Sequence, residues 1–253
     1  MGQISARLQR IADQVPAGVK AADIGTDHGF LPIYLVQHKG APSVVASDIR
    51  RGPLDAARKN IHAAGLEPVI DIRLGSGLKT LQPGEVHAAV IAGMGGKTMT
   101  EILEESSEVV LTLKTLVLQP MGASRLVRKY LHDHHFHIQY ETVFYDVDRT
   151  YELITAVPES RSVQTGSDDY ADYNDLCSLE LAYEFGPYLL KYPTAALLDA
   201  VREAVRRWKQ AAIGLHNARN QEAATQREWV EQRIAWMENW LAQSLEKSTP
   251  EID

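Results

Sequence analysis

The apolar positions along this chain change their period near residue 160. Before it, short runs of Val, Ile, Leu and Ala alternate with stretches where apolar residues recur every three or four positions. After it, only the helical period remains. Ile4, Leu8, Ile11 and Val15 predict a helix over residues 4–15, stopped by Pro16-Ala17-Gly18. A buried strand ending at Asp23-Ile24 follows, then a helix over 30–37 and a second strand over 44–48. Pro53 suits the first turn of a helix running to about residue 64, with Gly65 as its C-terminal cap. Further strands are expected over 69–74, 86–92 and 115–119, and further helices over 97–105 and 124–132. A hairpin formed by 138–145 and 150–157, joined around 146–149, closes this part.

Alternating strands and helices predict an α/β domain over residues 1–160, a parallel sheet with helices on both faces. The hairpin adds an antiparallel strand. That order resembles the seven-stranded, Rossmann-like sheet of class I S-adenosylmethionine-dependent methyltransferases. Residues 161–253 form a second domain. Residues 162–175 are polar and read as a loop entering a helix, and Phe185-Gly186-Pro187 and Tyr192-Pro193-Thr194 break the chain. Leu198, Val201, Val205, Trp208, Ala212 and Leu215 then recur at heptad spacing, as do Val230, Ile234, Met237 and Leu241. Two such helices predict a coiled-coil-like α-helical hairpin turning near 214–220, whose seam also allows a homodimer. Trp229, Trp236 and Trp240 read as packing or dimer contacts rather than base-stacking groups.

The chemistry gathers at strand ends. Lys20 to Phe30 reads KAADIGTDHGF, a strand, a tight glycine turn and a helix start. Amides at a helix start point outward, unpaired, towards a polar ligand. A dinucleotide fold shows G-x-G-x-x-G so that the helix start grips a pyrophosphate. Here the turn has only Gly25 and Gly29, with Asp27 between them, and a carboxylate repels a pyrophosphate. A sulfonium cofactor has no phosphate and a positive charge, so Asp23 and Asp27 suit S-adenosylmethionine. Thr26 and His28 complete the turn, with His28 capping it or touching the cofactor. Asp48, 25 residues past Asp23 and followed by Ile49, would accept two ribose hydroxyls. Gly75-Ser76-Gly77-Leu78 would lie against the adenine. Ala92, Gly93 and Met94 would line the methionine side.

Methylation of an exocyclic amine commonly uses an Asn/Asp-Pro-Pro-aromatic tetrapeptide after the fourth strand. This chain has Gly93-Met94-Gly95-Gly96 there. Cys177 lies far from every strand end, which argues against cysteine attack on a pyrimidine carbon. A ring nitrogen needs neither device. Its lone pair attacks once held in line, and a carboxylate stabilises the resulting cation, with Asp27 the candidate catalytic residue. For the substrate, Arg7 could reach the cleft or a phosphate, against a surface ion pair. Gln119 could bind the base edge, against satisfying loop backbone. Tyr151 could stack on a base, against packing in its strand.

Charge narrows the partners. The chain carries 26 Lys and Arg against 33 Asp and Glu, a net −7, so any nucleic acid must meet a local patch rather than a basic surface. Candidate patches are Arg7/Arg10, Arg50/Arg51, Arg125/Arg128/Lys129 and the Arg202/Arg206/Arg207/Lys209 face. No apolar run reaches the roughly 20 residues of a membrane span. The charged N-terminus does not read as a signal peptide, and a lone cysteine suits a cytoplasmic protein. His132, His134, His135 and His137 have metal-like spacing, but no acid or cysteine framework accompanies them, so no metal is expected.

Ser5-Ala6-Arg7-Leu8, Ala22-Asp23-Ile24-Gly25-Thr26-Asp27-His28, Ile91-Ala92-Gly93-Met94-Gly95-Gly96, Leu118-Gln119-Pro120 and Phe185-Gly186-Pro187 together resemble the bacterial tRNA adenine-22 N1-methyltransferase family. The resemblance covers almost the whole chain. It implies methyl transfer from S-adenosylmethionine to N1 of an adenosine in the D-arm of tRNA, with the helical hairpin positioning the tRNA. His134-His135 departs from the polar-glycine turn more usual in that family, and the tail is acidic. Two alternatives use the same motifs. One is a methyltransferase of a small molecule or protein, favoured by the acidic charge. The other is a non-catalytic S-adenosylmethionine-binding scaffold whose helical tail recruits partners.

Overall fold

The computed structural model describes residues 4–147, 149–159, 169–216 and 221–246. The chain divides into two compact units, Met1–Ser167 and Asp168–Asp253. In the first, α1 (Ala6–Asp13) begins at Ser5, whose hydroxyl accepts from Leu8 N at 3.2 Å as an N-cap. The sheet then builds from β1 (Ala21–Ile24), β2 (Val44–Asp48), β3 (Ile70–Leu74), β4 (Ala88–Met94), β5 (Thr115–Pro120), β6 (Phe136–Asp146) and β7 (Arg149–Pro158). Between them lie α2 (Phe30–Lys39), α3 (Arg51–Ala63), α4 (Gly96–Glu104), α5 (Ser107–Val110) and α6 (Ser124–Asp133).

The strand order is β3-β2-β1-β4-β5-β7-β6, with β7 antiparallel to both neighbours. Right-handed crossovers fix the layers. The path β1 to β3 moves one way across the sheet and puts α2 and α3 on one face. The path β4 to β6 moves the other way and puts α4 and α6 on the opposite face. Every residue of β1, β2 and β5 is buried, as strands covered on both faces should be. The order reverses between β1 and β4, and a ligand crevice is expected outside their C-terminal ends.

Several features depart from the sequence reading. Residues 107–110, unassigned there, form the single turn α5. The fourth strand does not stop at Ala92. It continues to Met94 through a bulge, because Ala92 pairs with Gln119 and Met94 with Pro120, leaving Gly93 as the extra residue. The paired strands β6 and β7 and the His134-His135 corner are where expected. His135 sits at φ 57°, which explains why a glycine would suit that corner. His134 stacks on Tyr130 at 3.9 Å between centroids, while His135 pairs with Glu159 at 3.6 Å. The rings therefore serve separate partners.

The second unit holds α7 (Leu176–Phe185), α8 (Pro187–Lys191), α9 (Ala195–His216) and α10 (Gln221–Glu246). Asp175 caps α7 through a reciprocal pair with Ser178. Val201, Val205, Val230 and Met237 are buried on α9 and α10, as the heptads predict. Trp208 and Trp229 meet edge to face at 5.3 Å, and the buried Arg233 guanidinium lies 5.0 Å and 4.5 Å from their centroids. Gly214 lies inside α9, which runs to His216; residues 217–220 of the expected turn are outside the described residues, as are residues 162–168 of the polar stretch 162–175.

Candidate active site

The turn after β1 is pinned to β2. Gly25 N and Thr26 N both donate to Ser47 O, at 2.7 and 2.8 Å. Gly25 has φ 83°, a backbone conformation that favours glycine, and a Cβ there would press on Met94 Cε, the mobile end of a flexible side chain. The turn leaves Asp27 and His28 exposed at the mouth, with His28 Nε2 3.6 Å from the Asp27 carboxylate. Asp48 closes β2, and its Oδ1 accepts from Arg50 N at 2.7 Å.

Two openings lie along this edge. The first, about 330 Å³, is lined by Arg7, Asp23, Thr26, Asp27, Gly29 and Ala92 among others. The second, about 270 Å³, is lined by Ser47, Ile49, Gly75, Ser76, Gly77 and Thr98 among others. Gly25, Asp48, Arg50 and Met94 line both. The bulge at Gly93 thus aims Met94 between two compartments of one site.

Asp23 is buried, and burial pushes its carboxyl up to about 6. The Thr26 side chain pulls the other way, and the charge of Asp48 adds to the rise. A cation delivered into the first compartment relieves this cost, whereas a pyrophosphate would deepen it. The buried Ser47 hydroxyl finds no partner among the described residues, and Ser47 borders the second compartment. These features fit S-adenosylmethionine, whose cationic methionine end and neutral nucleoside end need different surroundings.

The residues named for the substrate come together. Arg7 Nη1 donates to Gln119 Oε1 at 2.9 Å, and its guanidinium carbon lies 5.5 Å from the Tyr151 centroid. Gln119 itself is fully buried, and its Nε2 donates to Pro120 O at 3.1 Å. Both ends of its amide are engaged, so it supports Arg7 and offers no surface to a base edge. Tyr151 is half-buried against Phe144, 5.8 Å between centroids, and likewise holds Arg7. Leu78 also needs correction. It is fully buried and turned into the core, so only Gly75, Ser76 and Gly77 of that run reach the opening. Arg128, offered as part of a basic patch, is fully buried between Glu141 and Glu152 at 2.6 and 2.7 Å and cannot meet RNA.

Sequence reasoning missed Ser47, Phe30, Thr98 and Glu101, and read Arg50 only as part of a basic patch. Ser47 and Arg50 flank the chosen acid, and their positions around a strand end were the available signal. Thr98 and Glu101 stand one helical turn apart at the start of α4 and enter the site only because α4 folds over the strand ends.

An antiparallel strand slotted between β5 and β6, with acids rather than a phosphate-gripping glycine run at the ends of β1 and β2, makes this a class I S-adenosylmethionine-dependent methyltransferase. The family model described as a methyltransferase domain matches residues 4–154. The tRNA (adenine(22)-N(1))-methyltransferase of Bacillus subtilis (strain 168) is 33% identical over 196 residues, 78% of this chain and 79% of its own. The crystal structure of the B. subtilis M1A22 tRNA methyltransferase TrmK superposes with a TM-score of 0.82 at 27% identity, covering 94% of this chain and 99% of that one. A Streptococcus pneumoniae protein in complex with S-adenosyl-L-methionine gives 0.71 at 29% identity, covering 94% and 100%. This chain belongs to the tRNA (adenine-22-N1)-methyltransferase family.

Proposed function

We propose that this chain transfers a methyl group from S-adenosylmethionine to N1 of adenosine 22, in the D-arm of tRNA. The observation that carries the reading is the meeting of Asp23, Asp48 and Gly93 at one sheet edge, in a chain of this family. Bound there, S-adenosylmethionine supplies an electrophilic methyl group on a cationic sulfur. Asp48 takes the ribose hydroxyls, Gly75, Ser76 and Gly77 flank the adenine, and Asp23 faces the cationic end. Gly25, Thr26, His28, Gly29, Ile49, Ala92 and Met94 shape the walls.

The adenine N1 lone pair needs no base before attack, and the ring becomes cationic as it is spent. The Asp27 carboxylate, 74% exposed at the mouth, answers that charge. In open water its effect is screened; RNA lying over the mouth lowers the local dielectric and strengthens it. Arg7, fixed by Gln119 and Tyr151 above Gly93, takes a phosphate of the target nucleotide. The helical unit positions the tRNA, and the exposed Ile213 and Leu245 on its helices allow pairing with a second copy. The cytoplasmic tRNA pool is the place of work.

The test is methyl transfer by recombinant protein to unmodified tRNA, read by nucleoside mass spectrometry and primer extension. The expected result is 1-methyladenosine with a stop at position 22, abolished when that adenosine is replaced by guanosine. Methyl groups found only on small molecules or protein would overturn it. Asp27→Asn should lower kcat at least about ten-fold while leaving cofactor affinity in place.

A further inference from the structure

Residues 4–64 carry eight Lys and Arg against five Asp and Glu, in a chain with 26 and 33. Three of those five acids, Asp23, Asp27 and Asp48, line the methyl-donor cleft. The outer surface of α1, α2 and α3 is therefore the positive part of an acidic protein. In the helical unit Arg202, Arg206 and Lys209 are each engaged by an acid, at 2.8, 2.6 and 2.6 Å, as Arg58 on α3 is by Asp55 at 2.8 Å.

On the positive surface a groove of about 760 Å³ opens between α1, α2 and α3. Gln9, Phe30, Tyr34, Gln37, His38 and Asn60 line it. Phe30, 45% exposed, lines both this groove and the methyl-donor cleft, so the two lie side by side and share a wall. Rings mark the path. His28 stacks on Phe30 at 5.7 Å, and Tyr34 on His38 at 4.4 Å with 14° between planes. Asn60 Nδ2 donates to His28 O at 2.9 Å and ties the groove wall to the turn that carries Asp27.

We propose that this groove holds an unstacked base of the RNA substrate, one that neighbours the target adenosine. The inference rests on the tRNA reading above and adds a subsite to it. An adenine whose N1 faces the cleft has left its stack, at a cost of a few kcal/mol, and its neighbour has lost a stacking partner. Aromatic rings recapture such a base through their faces, and side-chain amides read its edge as donor and acceptor. The surrounding positive charge suits a phosphate backbone and not an acidic peptide.

His38→Glu and Gln9→Glu place negative charge in the groove at exposed positions, and Tyr34→Leu removes a ring while keeping apolar packing. Loss of one stacked base predicts about a ten-fold rise in KM for tRNA. Affinity for S-adenosylhomocysteine should not change, and kcat at saturating tRNA should stay within about two-fold. In parallel, tRNA carrying 4-thiouridine beside position 22 should crosslink to a peptide from α2 on irradiation. Unchanged KM in all three variants, or crosslinks only outside α1–α3, overturns the proposal. If wild-type protein methylates no tRNA yet crosslinks through α2, the groove stands and the methyl-transfer reading fails. If wild type methylates normally and the variants match it, the groove alone fails.

Discussion

Asp23 is ionised at neutral pH only against the pull of its surroundings. Its carboxyl rises from 3.8 to about 6 on folding. Between those values the folded state holds more protons than the unfolded chain, so stability falls as pH rises through that window and is flat above it. At pH 7.5, Asp23→Asn should therefore stabilise the free protein, by up to roughly 3 kcal/mol. The same substitution should weaken binding of the cationic cofactor. In the wild type, cofactor affinity should climb from pH 5 to 7 as the carboxylate ionises. Thermal melts and titrations across that range check both signs; a variant that is less stable at pH 7.5 contradicts the account. His135 offers a simpler case. It holds φ 57°, a conformation costing an L-residue about 1–2 kcal/mol, so His135→Gly should stabilise by roughly 0.5–1 kcal/mol after the entropy of glycine is set against it. Acids at strand ends are legible in a sequence because a buried strand followed by a carboxylate is unusual. The fate of Gln119 is not legible, since the same residue type serves a base or a backbone depending on which way the strand twists.

Elements place these residues. The loops after β4 and β5 are stitched together: Met121 N donates to Met94 O at 2.7 Å and Gly96 N to Gly122 O at 2.9 Å. A Cβ on Gly96 would overlap the Ala123 carbonyl oxygen, which is backbone and cannot step aside. Gly96→Ala should therefore move both loops, lowering stability and cofactor affinity together, whereas Gly95→Ala, with nothing near its Cβ, should be mild. Thermal melts and cofactor titration of the pair separate the two cases. Arg128 joins α6 to β6 and β7 through two carboxylates. Arg128→Ala leaves Glu141 buried without that cation and should cost about 3–5 kcal/mol in denaturant unfolding. Most elements were legible from periodicity, because long buried strands and capped helices follow from local pattern. The bulge at Gly93 was not, since it depends on the register between β4 and β5. The single-turn α5 is too short to show a period at all.

For the whole molecule, charge and topology divide the work. An acidic chain keeps positive charge beside the reactive edge, and its helical unit pairs Arg202, Arg206, Lys209 and Arg233 internally. The resemblance to the tRNA methyltransferase family, carried by five short strings, three of them at strand ends, identified the substrate class. Charge alone pointed the other way, because net charge averages over surfaces that never meet RNA. The account depends on the sheet edge being a cradle for the methyl donor. Titration calorimetry with S-adenosylhomocysteine, on wild type and on Asp48→Ala, tests this most directly. The prediction is one site per chain in the wild type and an affinity lower by at least about ten-fold in the variant, through loss of the carboxylate bonds to the ribose. Absence of binding to the wild type, or equal affinity in both proteins, would contradict it.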